Sequence, residues 1–288
     1  MIPLLRWLGR RPLWLLHALG AALGWLAWAA SPSYRRRLAA NAALAGIGPA
    51  QRRRAVGEAG RMTAELPRLW LRPAGRPLAD PVRWEGDAWL AERLAQPAGL
   101  VLLTPHLGSF EVAAQAYAQR FGAARPMTVL YRPARKPWLR QLEETARARP
   151  GLATAPATLA GVRQLLRALK RGETIGMLPD QVPPEGMGVW APFFGRPAYT
   201  MTLAQRLAQQ TGSTIAVLWC QRLARGAGYV LRVQPLAEPP PAGADDTQAA
   251  AAINRSMEAV IRQCPQQYLW GYHRYKAPRG GVPGGASA

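Results

Sequence analysis

The chain has 288 residues, 49% of them hydrophobic, and carries 37 Lys and Arg against 16 Asp and Glu, a formal charge of +21. That length and apolar content allow one large domain or two small ones around a sizeable core. Two cysteines, Cys220 and Cys264, exclude a disulfide framework and read as reduced thiols. The charge suits phosphates, anionic head groups, nucleic acid or an acidic protein, although a chain rich in Ala, Gly and Pro gains part of its arginine from composition alone.

The first element is an apolar stretch from Leu13 to Ala30, without formal charge apart from what His17 acquires on protonation, and flanked by Arg6, Arg10 and Arg11 on one side and Arg35, Arg36 and Arg37 on the other. Its 18 residues are the short end of a membrane span, and Trp14, Trp25 and Trp28 suit an interface belt. No obvious cleavage site precedes the basic run, so a membrane anchor over residues 1–33 is expected, either crossing the bilayer or lying in the head-group plane. Residues 34–94 read as a helical lead-in, broken by Pro73, Pro77 and Pro81.

From Leu100 onward, short apolar runs alternate with helical segments: LVLLT, FEVAAQAYAQRF, MTVLY, WLRQLEETARAR, a short strand near LATA, TLAGVRQLLRALKRG, TIGMLP, TLAQRLAQQTG and STIAVLWCQRL. This is the pattern of an α/β protein with a mostly parallel sheet flanked by helices, filling one domain over residues 34–278. YVLRVQP adds an expected antiparallel edge strand, DDTQAAAAINRSMEAVIRQ a late helix, and residues 279–288 a disordered tail. Residues 181–200, QVPPEGMGVWAPFFGRPAYT, read as a long structureless insert whose Val189, Trp190, Phe193 and Phe194 suit either an apolar substrate or packing over the sheet.

Chemistry concentrates at TPHLGSFE, residues 104–111, directly after an apolar strand. Ligands of open α/β sheets gather at the carboxyl ends of strands, where His106 falls, with Gly108 and Ser109 opening a helix. Within one helix an i, i+5 pair stands about 140° apart. With His106 in the turn and Glu111 in the first helical turn, the carboxylate is placed to orient the imidazole as a general base. There is no G-x-S-x-G elbow, P-loop, G-x-G-x-x-G or metal-ligand cluster. What remains is a base that activates a substrate hydroxyl for attack on an already activated acyl group.

HLGSFE resembles the H-x4-D/E motif of glycerolipid acyltransferases and, in this form, is similar to the bacterial lipid A biosynthesis acyltransferases. The likeness includes RRRLAANAAL, YRP at 131–133, LPDQ at 178–181, APFFG at 191–195, AINRSMEAVIRQCP and QYLWGYHRYK, where the last departs from the more usual W-x-H-R-R. The resemblance implies a glycerolipid acyltransferase-like fold at the bacterial inner membrane, with its catalytic domain on the cytoplasmic side. It implies acyl carrier protein as acyl donor and a phosphorylated lipid A precursor as acceptor. Membrane lipids are an expected partner, while nucleic acid, metal and cofactor are not expected. Carried over by position, His106 is the base, Glu111 its partner, Arg132 a phosphate or oxyanion ligand, and Asp180 a support of the same crevice. Gly108, Ser109, Tyr131, Gln181, Trp190, Phe193 and Phe194 are expected to contact substrate. Two rival readings are transfer to another lipid, such as a lysophospholipid or glycerol phosphate, and a non-enzymatic, basic membrane-tethered binder.

Overall fold

A computed structural model describes residues 2–73, 75–134 and 136–278. The expected tail, 279–288, lies outside the described residues. Four helices come first: α1 (Ile2–Gly9), α2 (Leu13–Ala30), α3 (Pro32–Leu44) and α4 (Pro49–Trp70). Ser31 caps α3 by accepting from the Tyr34 N–H, and Pro32 follows at the first helical position, where its missing N–H costs nothing.

The α/β part runs β1 (Val82–Glu85), α5 (Asp87–Ala95), β2 (Leu100–Leu103), α6 (Phe110–Phe121), β3 (Met127–Tyr131), α7 (Pro137–Arg147), β4 (Leu152–Pro156), α8 (Leu159–Lys170) and β5 (Thr174–Met177). It continues through β6 (Gly188–Phe193), β7 (Arg196–Met201), α9 (Leu203–Thr211), β8 (Thr214–Arg222), β9 (Tyr229–Pro235) and α10 (Asp246–Gln263). The main sheet has seven strands in the order β1-β9-β8-β2-β5-β3-β4, and every pair is parallel except β8 with β9.

Helices cover both faces, so central strands are apolar on both sides. Val101 and Leu103 of β2 point into one core with Leu165 and Leu169 of α8, Leu207 of α9 and Ile253 of α10. Leu100 and Leu102 point into the other core with Leu90 of α5, Val112 and Tyr117 of α6, and Leu13 of α2.

The structure corrects two sequence readings. The lead-in is not wholly helical, because β1 (VRWE) pairs parallel with β9 and so removes β9 from the edge. Half of β1's side chains face solvent, which leaves no apolar run to betray it. Residues 181–200 are not structureless either: β6 and β7 form an antiparallel hairpin. Phe194 (φ 47°) and Gly195 (φ 75°) both occupy the left-handed region at its tip, as a type I′ turn requires.

The apolar helix α2 is docked on the domain. Leu13, Leu16, His17, Gly20 and Gly24 form its buried stripe, at spacings of three and four residues. Gly20 and Gly24 let the backbone of α4 approach at Gly60, where any Cβ would overlap the Gly20 carbonyl. The outer face is apolar and exposed, with Trp14, Leu19, Leu23, Trp25 and Leu26. Gly60→Ala is therefore expected to lower stability by ~1–3 kcal/mol through overpacking. Gly57→Ala, whose Cβ would meet Ala21 at an ordinary 3.5 Å, should be neutral or stabilising. Thermal melts of the two variants check the pair.

A buried polar cluster locks this contact. His17 Nε2 lies 3.3 Å from Glu65 Oε2, and Arg222 donates to both Glu65 oxygens at 3.1 Å and to Glu58 at 2.8 Å. Burial alone would raise the Glu65 carboxyl; Arg222 and His17 overcome it and hold the group below the ordinary carboxylate value.

Candidate active site

Register builds the site. In the parallel pair β2 and β5, Leu103 stands beside Met177. His106 and Asp180 each follow three residues later, so two positions 74 apart in sequence meet just beyond the carboxyl ends of neighbouring strands. Asp180 is 3% exposed and holds His106 twice: its Oδ2 accepts from the main-chain N–H at 2.9 Å, and its Oδ1 lies 2.7 Å from the ring Nδ1.

Burial pushes the Asp180 carboxyl up, but the His106 ring, its main-chain N–H and the nearby Arg274 outweigh that and leave it below the ordinary aspartate value. An ionised Asp180 accepts at Oδ1 only from a protonated Nδ1, which leaves Nε2 of a neutral ring with its lone pair free to accept. Gln181 Nε2 lies 2.9 Å from that atom, so the amide donates to it at rest. The Phe110 ring packs edge-on at 5.0 Å between centroids and fixes the imidazole plane.

The expected link from Glu111 to His106 is absent among the described residues. Glu111 accepts from the Arg147 guanidinium of α7 and, at 3.3 Å, from the Trp70 indole N–H of α4. Helix α6 begins at Phe110, whose side chain takes the His106 side and turns Glu111 toward α4 and α7. Burial would lower Arg147, but Glu111 and Glu143 overcome it and raise it above its ordinary value. The imidazole is oriented by Asp180 instead.

Arg132 sits one residue past β3, beside β5, exposed and without a hydrogen bond among the described residues. Tyr131 is half-buried, its hydroxyl donating to Glu144 at 3.2 Å. The remaining expected contacts are buried or half-buried. Gly108 adopts φ +61°, and a Cβ there would overlap the Cys220 carbonyl; its N–H and that of Ser109 donate to the Gln267 and Cys220 carbonyls at 3.0 and 2.8 Å. Both residues are buried and seat the loop rather than face a substrate. Phe193 and Phe194 are likewise core residues, because the hairpin folds against α10 and the Phe194 N–H donates to Glu258 at 2.7 Å. Trp190 stays half-buried, edge-on to Tyr199.

The segment after α10 closes the site from behind. The Leu269 N–H donates to the His106 carbonyl at 3.0 Å, and the Val182 N–H donates to the Tyr272 hydroxyl at 3.0 Å. Arg274, 3% exposed, donates to the Tyr199 carbonyl and to Thr200 Oγ1, each at 2.7 Å, and so ties this segment to the hairpin. Its role was hidden in WGYHRYK, whereas the sequence around Arg147 and Trp70 carries no signal of theirs. Among the described residues no group of three His, Cys, Asp or Glu side chains stands ready for a metal.

A histidine whose Nδ1 is held by a buried aspartate, just past the carboxyl ends of two parallel strands, is the centre of the candidate site in this α/β protein. The chain belongs to the bacterial lipid A biosynthesis acyltransferase family, whose sequence model matches residues 2–277. It is 30% identical over 191 residues to the Escherichia coli (strain K12) lipid A biosynthesis lauroyltransferase, a match covering 66% of this chain and 60% of that protein. It is 29% identical over 193 residues to the palmitoleoyltransferase of the same organism, covering 67% and 60%. A lipid A biosynthesis acyltransferase of Haemophilus influenzae is 24% identical over 176 residues, covering 61% and 53%. The matched segments thus span at most about 60% of the length of these relatives.

Proposed function

We propose that this protein transfers a fatty acyl chain from acyl carrier protein to a hydroxyl of a lipid A precursor, with His106 as general base. The observation that carries the reading is the Asp180–His106 hydrogen bond at Nδ1, which leaves Nε2 to accept the hydroxyl proton. The acceptor hydroxyl displaces the Gln181 amide from Nε2, loses its proton to the ring and attacks the thioester carbonyl. As the tetrahedral intermediate collapses, the C–S bond breaks and the imidazolium returns the proton to the departing thiolate. Asp180 stabilises the imidazolium in between. A thioester is already activated, so the reaction needs no covalent enzyme intermediate and no cofactor.

Arg132, exposed at the adjacent strand end, is suited to a phosphate of the acceptor or to the developing oxyanion. Tyr131, the residue before Arg132, and the half-buried Trp190 are the substrate contacts of this reading. Glu111, bound to Arg147 and Trp70, positions the flank of the site. The charge of +21 suits an acidic carrier protein and a phosphorylated lipid.

A membrane location is supported by the exposed apolar face of α2. Its inner stripe packs along α4, which carries Glu58, Arg61, Glu65 and Arg68, so crossing a bilayer in this pose would draw those charges into hydrocarbon. The helix lies in the interface, with Trp14, Leu19, Leu23, Trp25 and Leu26 among the acyl chains. The protein is then held at the cytoplasmic surface of the inner membrane, where acyl carrier protein is found.

Mass spectrometry of lipid A from cells with and without the gene tests the function. The expected difference is one acyl chain per molecule; unchanged lipid A would remove this acceptor.

A further inference from the structure

A cavity of ≈ 690 Å³ opens between α2, α4 and the turn joining β8 to β9, behind the loop that carries His106, where Arg222 donates to the Gly108 carbonyl at 3.2 Å. Trp14, Arg54, Glu58, Arg61, Arg222 and Arg225 line it. Arg222 at its floor is 3% exposed and saturated by Glu58 and Glu65, while Arg61 pairs with Glu58. Counting Glu65 behind Arg222, four guanidiniums face two carboxylates. Arg54 and Arg225 are exposed and have no acidic partner among the described residues, so the cavity keeps an excess of two positive charges.

Two further observations give the ligand its chemistry. Arg225 is held at φ 55°, a conformation that costs a non-glycine residue energy, and the turn is fixed there by Gly226, which lies against the backbone of Trp14. Trp14 belongs both to the cavity wall and to the exposed apolar face of α2. A ligand here meets guanidinium forks at one end and, past Trp14, a row of apolar side chains at the other. An anion with hydrocarbon attached matches both ends, and a soluble anion matches one.

We propose that this cavity binds the phosphate of an anionic phospholipid head group at the bilayer surface, with the acyl chains of that lipid lying against the outer face of α2. The proposal rests on the membrane location given above. It does not depend on acyl transfer, because binding is measured without any acyl donor and the failure of either leaves the other readable.

Flotation of the full-length protein with vesicles of phosphatidylcholine, alone or mixed with phosphatidylglycerol, is the test. The parent should prefer the anionic vesicles. The double variant Arg54→Gln/Arg225→Gln should lose that preference by roughly tenfold or more, at the cost expected per arginine near an anionic surface. It should still float on phosphatidylcholine through α2. Arg163→Gln/Arg167→Gln removes the same charge from the exposed side of α8, which packs on β3, β4, β5 and α9, and should keep the preference. Thermal melts matching the parent confirm that both variants are folded. Equal losses in the two double variants, or no loss in either, overturn the proposal in favour of diffuse surface charge. Sodium phosphate compared with sodium chloride at matched ionic strength separates the sources. Persistence of the preference in phosphate supports the lipid, and its selective abolition reassigns the cavity to a soluble phosphate and overturns the lipid assignment.

Discussion

His106→Ala is expected to lower the turnover of acyl transfer by ~10²–10⁴-fold, the contribution typical of a positioned general base. The protein should otherwise stay intact. Alanine keeps the main-chain N–H that donates to Asp180 Oδ2 and the carbonyl that accepts from the Leu269 N–H, so the two tethers of the loop survive the loss of the ring. The ring is not a core element: its neighbours are Asp180, Gln181 and the edge of Phe110. A histidine with a structural role would give the reverse result, a lower melting temperature with near-normal turnover per folded molecule.

Asp180→Asn should have an effect of the same order, ~10²–10⁴-fold, although it changes almost nothing in shape. Asp180 accepts from two donors of His106, one through each oxygen. Asparagine offers one oxygen and an NH2, and either placement fails. With the NH2 toward Nδ1, the ring is driven to the tautomer that carries its proton on Nε2, and the base is gone. With the NH2 toward the main chain, two N–H groups face each other and the loop loses its tether.

The same substitution has a pH signature. The Asp180 carboxyl lies below its ordinary value when folded, so its contribution to stability is complete above the ordinary aspartate range, about pH 4, and is lost as pH falls through the lower folded value. Melting temperatures across pH should therefore fall less steeply in acid for Asp180→Asn than for the parent, from a lower neutral plateau.

Much of the fold was legible in the sequence because buried parallel strands leave continuous apolar runs. LVLL, MTVLY, TIGM and TIAVLWCQR all became strands, and Leu13–Ala30 became one helix with those bounds. What was hidden lacked such a run. VRWE is four residues long and alternately exposed, and GVWAPF and RPAYTM carry two prolines and a turn, Phe194–Gly195, that does not read as one by composition. YVLRVQP was correctly antiparallel but misplaced at the edge, since the strand outside it was the one not seen.

The site shows the same limit more sharply. The sequence places His106 at a strand end and the resemblance makes Asp180 a support of the same crevice, but their partnership is a matter of sheet register, to which no local spacing points. Glu111 was the nearer carboxylate in sequence and turned out to serve Arg147 and Trp70. Proximity along the chain favoured Glu111, whereas packing of the Phe110 ring beside the imidazole gave the place to Asp180.

Acyl transfer from acyl carrier protein to a lipid A precursor, measured for the parent, His106→Ala, Asp180→Asn and the double variant and normalised to folded protein, tests this unit directly. Residues that act together fail together, so the double variant should be about as slow as the slower single one. Losses that multiply, or a well-folded His106→Ala protein that transfers acyl chains at the parent rate, would contradict the account.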